Sequence, residues 1–291
     1  MLRPAVVSRV YLWEVCMSVF GSTLPRLTTL LLAAGGATLA AQSIASAQAP
    51  QPCPNEAQAP ILGTNGPDTL NGTPGADRII AAAGADVVNA LQGDDCVRGG
   101  DGFDEIQGGA GRDVIFGEAG PDDLTGGADG DRVFGGEGFD FVSGALGDDR
   151  LFGEGGPDDM NGGRGDDVLD GGDGIDFLEG GLGADRLDGG DQSDRLSGGD
   201  GRDVIRGGAG NDRLAGGLDG DRLIGGAGND LIDGGDGRNR YSGGAGNDAI
   251  DAANGSVETV NCGSGRDVVR ADGRDRLIRC ERVFRLRLVR R

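Results

Sequence analysis

One residue in five of this 291-residue chain is Gly (61 in all), aromatics make up 4%, and His is absent. Gly averages about 7%, so an ordinary packed core is not expected; without His the commonest general base, the Ser-His and Cys-His nucleophile pairs and every His-ligated zinc or haem site are excluded. All 27 basic residues are Arg, and against 48 Asp plus Glu they leave a net charge of −21, which makes nucleic acid a poor partner.

The N-terminus reads as a secretory signal peptide over residues 1–49. An apolar run, LTTLLLAAGGATLAA, follows Arg26 and leads into ASAQA, whose small-x-small pattern offers cleavage after Ala47 or Ala49. The apolar core is shorter than the roughly 20 residues a membrane span needs, so no span is expected in the mature chain. Either Met1 or Met17 serves as the start. Removing Arg3, Arg9, Arg26 and Glu14 with the leader leaves 24 Arg against 47 acids, a charge of −23, and takes away the single Trp, Trp13.

Residues 50–62 form an N-terminal cap segment. From Gly63 to Asp251 the chain then divides into 21 blocks of nine without insertion or deletion, each of the form G-G-x-G-x-D-x-U-x with U apolar. GGAGNDRLA, beginning at Gly207, is typical. The sixth position is Asp in 20 blocks: Asp68, Asp77, Asp86, Asp95, Asp104, Asp113, Asp122, Asp131, Asp140, Asp149, Asp158, Asp167, Asp176, Asp185, Asp194, Asp203, Asp212, Asp221, Asp230 and Asp248. Asn239 is the exception. The eighth position is apolar in every block, from Leu70 to Tyr241 and Ile250.

Gly at positions one and four suits a backbone that must take left-handed or crowded conformations in each turn. Only x-U-x remains for a short strand, and alternation sends every U to one face, where these side chains can line a thin interior. With one reversal per block, two blocks make a coil of 18 residues, and stacking at about 4.8 Å gives a rod on the order of 50 Å long. Three blocks depart from the pattern at position four, with Asp129, Gln192 and Asp219, and the early blocks have Thr, Ala or Leu at position two.

These blocks resemble the calcium-binding nonapeptide of the RTX, or haemolysin-type, proteins. The resemblance implies an all-β fold, a right-handed parallel β-roll (a β-solenoid) with two repeats per coil. It also implies that each calcium ion sits between blocks two apart, with position-six Asp side chains reaching it and turn carbonyls completing the shell. At most 19 interior sites would follow from 21 blocks, with fewer expected to fill. The chemistry agrees: stacked carboxylates repel unless a cation lies between them, and an all-oxygen cage of irregular shape suits Ca²⁺ better than Mg²⁺ or a transition metal. Such an acidic, core-poor chain resembles those that fold only with their ligand, so calcium binding becomes folding free energy.

The rod's open ends need caps. After the leader, the chain holds Cys53, Cys96, Cys262 and Cys280, and an even number in an exported protein points to disulfides. Cys96 and Cys262 lie about nine coils apart, roughly 44 Å, far beyond the roughly 7 Å between Cα atoms that a bridge allows; Cys53–Cys96 and Cys262–Cys280 are the pairs left. Residues 252–291 read as degenerate repeats and a C-terminal cap. The stretch CGSGRDVVRADGRDRLIRCERV resembles the C-terminal end of secreted actinobacterial calcium-binding proteins, and Phe284, Leu286 and Leu288 alternating with Arg285 and Arg287 read as a capping strand.

The chain therefore reads as a secreted, extracellular calcium-binding repeat protein without catalysis, a structural or interaction module. The alternative is the non-catalytic part of a toxin, adhesin or polysaccharide-modifying enzyme; only residues 50–62 precede the repeats, which leaves no room there for an effector. Sheet positions seven and nine lack the regular Thr or Asn array that ice binding would require. Phe116, Phe134 and Phe152, each 18 apart at position nine, are expected to form an outward ladder beside Arg78, Arg132, Arg150, Arg186, Arg222 and Arg240. That face is either a platform for an anionic glycan, a cell-surface polymer or a second copy, or a ladder that simply supports its own sheet. Asn239 is expected to mark a weak calcium site that Asn239→Asp would strengthen.

Overall fold

A computed structural model describes Cys53 and residues 59–286 of the chain; the signal-peptide segment, Leu288 and Arg287 lie outside the described residues. Each block contributes one strand. Position six ends the turn, positions seven to nine run straight, and the first three residues of the next block extend the strand, as in Arg132–Glu137, Phe141–Leu146 and Arg150–Gly155. No helix occurs among the described residues.

Odd and even strands segregate. The two resulting 13-stranded sheets are parallel throughout, and in each a strand pairs with the one two places along the chain. Pairing is offset by 18 residues, so that Phe116, Phe134 and Phe152 meet in register, as do Leu151 and Leu169. The chain is thus a two-sided β-roll with two blocks per coil.

The interior is a single file of position-eight side chains. Ile106, Leu124, Leu151, Leu178 and Leu223 are completely buried, and the same holds within a few per cent from Ile79 to Val269. Leu70 at the N-terminal opening and Leu277 at the other are only partly covered. A core one side chain wide has no second layer to absorb a polar substitution, so it depends on what closes the turns.

Beyond Asp251 the roll continues where the nine-residue register breaks. Tyr241 pairs with Val260 at an offset of 19, and Val260 pairs with Leu277 at 17: one extra residue in the turn before Glu258 is returned by one fewer after Ala271. The last described strand, Arg282–Leu286, pairs with Val268–Asp272 and closes one sheet. Cys262 and Cys280 are bridged across one coil, with Cα atoms 5.2 Å apart, and Cys53 is bridged to Cys96 at 5.6 Å.

The turns use positive φ at positions two and four, as at Gly100 (116°) and Gly102 (141°). Asp129, Gln192 and Asp219 take the same left-handed conformation at position four, with φ of 75°, 79° and 68°. Gln has no local hydrogen-bonding advantage there, unlike Asp. Gln192→Gly is therefore expected to stabilise the calcium-loaded protein by roughly 1 kcal/mol, raising Tm by about 2–4 °C; calorimetry of the two proteins checks it.

Candidate metal centre

Each position-six Asp ends a turn, with its carboxylate folded inward and one oxygen reaching back to the preceding coil. Its Oδ1 accepts a hydrogen bond from the backbone N–H of the Asp one coil earlier: Asp86 N to Asp104 Oδ1 is 2.9 Å, Asp104 N to Asp122 Oδ1 2.8 Å, and Asp122 N to Asp140 Oδ1 2.8 Å. The sixth positions thus form two continuous columns, one along each edge of the roll. From Asp86 to Asp248 these side chains are 0–2% exposed.

The other carboxylate oxygen has no donor. In all 18 of the predicted Asp from Asp86 onward, Oδ2 is buried and makes no hydrogen bond. Position-one glycine explains where it points: a side chain on Gly99 would collide with Asp104 Oδ2 and with the carbonyl oxygen of Gly117 in the next coil. The same pair recurs with Gly108, Asp113 and Gly126, and with Gly135, Asp140 and Gly153. A carboxylate oxygen and a carbonyl oxygen therefore converge on a pocket kept open by the missing Cβ. Two acceptors without a proton between them require a cation. This donor set, oxygen only, fits a hard ion such as Ca²⁺. Ala81 and Ala90 replace the glycine in two early blocks and bring a methyl group to that position.

Electrostatics describe the same problem. Burial pushes the Asp131 carboxyl up to about 8; the backbone N–H of Asp113 works against this, and the neighbouring carboxylates of Asp113, Asp149 and Asp129 add to the rise. Asp113, Asp122, Asp158, Asp167, Asp194 and Asp203 are raised to about 7, with burial again the leading cause. Without a counter-ion, these groups sit close to neutral pH when they should be fully ionised.

Three predicted positions differ from the rest. Asp68 and Asp77, at the N-terminal opening, have their Oδ2 satisfied by Thr64 and Thr73: Thr64 donates its N–H at 2.6 Å and its hydroxyl at 2.9 Å, and Thr73 does so at 2.5 and 2.9 Å. The position-two Thr of the early blocks thus closes the first coil with protein hydrogen bonds. At Asn239 the pocket is filled from within. A side chain on Gly234 would meet the Tyr241 hydroxyl and Asn239 Nδ2, where other blocks present a carboxylate oxygen. Asn239 Nδ2 donates to the Gly234 carbonyl at 3.1 Å and lies 3.4 Å from Tyr241 Oη. Burial and the nearby Glu258 carboxylate push the Tyr241 hydroxyl up, so it remains a donor. The one block without Asp is the one block with Tyr at position eight.

The columns also extend past the 21 blocks. Glu258, Asp267 and Asp275 occupy the sixth position of the later coils: Glu258 Oε1 accepts from Asn239 N at 3.2 Å, Asp267 Oδ1 from Asp248 N at 3.0 Å, and Asp275 Oδ1 from Glu258 N at 3.1 Å. A strict nine-residue register lands on residues 257 and 266 and so misses Glu258 and Asp267, and it meets the column again at Asp275; blocks of ten, nine and eight residues after Asp251 place all three. Among the described residues no group of three or more Cys, Asp or Glu side chains gathers around one point. Each pocket combines a side-chain oxygen with main-chain carbonyls.

The expected Phe ladder is present but does not lie open. Phe116, Phe134 and Phe152 stack with ring centroids 4.9 and 4.8 Å apart and planes within 10°. Phe116 and Phe134 are only 6% and 7% exposed, forming a second buried cluster with Val114 and the Cys53–Cys96 bridge. Arg98 lies 4.9 Å over the Phe116 ring and pairs with Glu118 at 2.8 Å. Cys96 is itself an outward position-seven residue, so the disulfide draws Cys53 onto this face and the ladder becomes internal.

The RTX calcium-binding nonapeptide repeat matches over residues 62–96, 97–124, 125–160, 161–196, 188–223 and 215–250. Among solved structures, the chain is similar to a hyperactive, Ca²⁺-dependent, β-helical antifreeze protein from an Antarctic bacterium, at 19% identity and a TM-score of 0.50, over 72% of this chain and 78% of that one. Comparison with curated proteins gives no match. Six consecutive repeat matches, covering well over half the chain, show that it belongs to the RTX calcium-binding nonapeptide repeat family.

Proposed function

We propose that this chain is a secreted, calcium-dependent β-roll that acts outside the cell as a non-catalytic structural or interaction module. One observation carries the calcium assignment: 18 buried Asp oxygens lack a donor, and at 15 of them a position-one glycine leaves the oxygen facing a carbonyl oxygen of the next coil. In this reading Asp86 to Asp248 and the added Asp267 hold the ions together with position-one carbonyls, whereas Asp68 and Asp77 are closed by Thr and block 20 by Tyr241. The bound ion supplies the positive charge that lets these carboxylates stay buried and ionised.

Export is supported by the leader pattern and by two disulfides, which persist in an oxidising compartment. Among the described residues no helix is long and apolar enough to cross a membrane. Intact mass of the culture-medium protein should match cleavage after Ala47 or Ala49 with both bridges formed, and a mass retaining residues 1–47 would overturn export by this route.

Ice binding is not carried over from the structural neighbour. On this chain the outward Asn row is short: Asn211, Asn229 and Asn247 form a ladder at one turn edge, Asn229 N and Asn247 N each donating at 2.8 Å to the Asn one coil before. The central test is isothermal calorimetry with calcium and with magnesium. Multiple calcium ions bound with appearance of the β circular-dichroism signal are expected, and magnesium should not replace them; a protein with its β signal and no calcium uptake would overturn the reading.

A further inference from the structure

The sheet opposite the buried Phe ladder carries an exposed surface of a different kind. Its position-seven residues run in register through Phe177, Arg195, Arg213 and Leu231. Phe177 is 44% exposed and Leu231 51%, and Ile175 beside them 62%. Between these apolar ends lies an open trough of about 550 Å³, with Ser193, Asn211 and Asn229 along one wall.

Arg195 and Arg213 supply the positive charge of the trough. They are cross-strand neighbours, an arrangement that is unfavourable between like charges, and among the described residues neither lies within 4 Å of a carboxylate, although acids outnumber Arg nearly two to one. Arg132 and Arg150, and Arg222 and Arg240, stack in the same way on the other sheet; at Arg195 and Arg213 the pair lies in a trough beside the exposed Phe177 ring. Two exposed guanidinium forks side by side are suited to a planar carboxylate. The Phe177 ring adds a flat apolar face, and the Ser193 hydroxyl and the Asn211 amide N–H, whose oxygens already accept from the next coil, add donors for hydroxyl groups.

We infer that this trough binds an acidic glycan through its uronate carboxylates, with a sugar ring against Phe177 and the carboxylate on Arg195 and Arg213. A ligand offering an apolar ring face, hydroxyls and a carboxylate within one repeat matches all three features; a peptide would not use the hydroxyl-directed wall, and a nucleic acid meets the net charge of −21. The inference rests on the calcium reading, because Asp194 and Asp212 also line the trough. With calcium held at those two residues their charge no longer opposes an anion, so glycan binding should require the ion.

The test is calorimetric titration of the calcium-loaded protein with a galacturonic acid pentamer, beside the neutral glucose pentamer. Binding of the acidic pentamer alone is expected. Arg195→Gln/Arg213→Gln and Phe177→Ser should each weaken it at least tenfold with Tm unchanged, since all three side chains are exposed, whereas Arg150→Gln/Arg186→Gln on the other sheet should leave it intact. No binding by a protein whose calcium-induced β signal is intact would overturn the glycan site while leaving the calcium-dependent fold standing. Equal binding by the Arg195→Gln/Arg213→Gln variant, or equal loss in the Arg150→Gln/Arg186→Gln control, would also overturn it.

Discussion

Chelating calcium at pH 7.5 should convert the protein from a β-structured to a mostly unfolded state, and lowering the pH of the chelated protein toward 5 should bring part of the β signal back. The reason is proton linkage. In the metal-free roll, burial raises Asp131 to about 8 and Asp113, Asp122, Asp158, Asp167, Asp194 and Asp203 to about 7, above the ordinary value of 3.8. Such a carboxyl holds its proton more tightly folded than unfolded. The stability of the metal-free roll is therefore greatest below about pH 4 and is lost as pH rises through 6 to 8, each tenfold gain in proton affinity on folding being worth about 1.4 kcal/mol per group. Calcium bound at these carboxylates should remove this dependence by replacing the proton. With calcium present the pH trend should reverse: affinity should fall as pH drops below about 7, because protons then compete for the same oxygens. Circular dichroism across pH 4.5–8.5, with calcium and with chelator, checks both arms. A chelated protein that melts cooperatively at pH 7.5 with its full β signal would refute the account.

Asn239→Asp alone should add no calcium ion, whereas Asn239→Asp/Tyr241→Leu should add one. Read from the repeat, Asn239 is a weakened site that a carboxylate would repair. The structure revises this, because the pocket at Gly234 already holds the Tyr241 hydroxyl and the Asn239 amide. A carboxylate introduced beside Tyr241 would accept a hydrogen bond from that hydroxyl and stay occupied; only removal of the phenol reopens the pocket. Tyr241→Leu by itself deletes a buried hydroxyl and the partner of Asn239, and should cost about 1–3 kcal/mol even with saturating calcium. Bound calcium counted by atomic emission after desalting, with Tm from calorimetry, separates the cases. A gain of one ion in Asn239→Asp alone would show that the hydroxyl does not hold the pocket.

Much of the architecture was legible because a nonapeptide writes the same physics 21 times. The apolar eighth position yields a one-residue-wide core, the 18-residue coil predicts the pairing of Phe134 with Phe152, and the position-six column predicts where a cation is needed. The cysteine pairs followed from spacing along a rod, and both bridges are present. These are local or periodic constraints, which a linear chain states directly. Tertiary structure decided whatever depends on which groups meet across coils. Glu258 and Asp267 join the columns one residue out of register, because an extra residue in one turn is not returned until the turn before Asp275, which a fixed register cannot express. Phe116 and Phe134 occupy outward positions by alternation, yet they are buried because the Cys53–Cys96 bridge anchors the chain on that face. The Tyr241 side chain counts as apolar in the repeat, but its hydroxyl reaches the pocket of its own block and changes what that pocket can hold. Periodicity determined the direction in which each side chain points; the length of the side chain and the contacts between distant segments determined what it meets there.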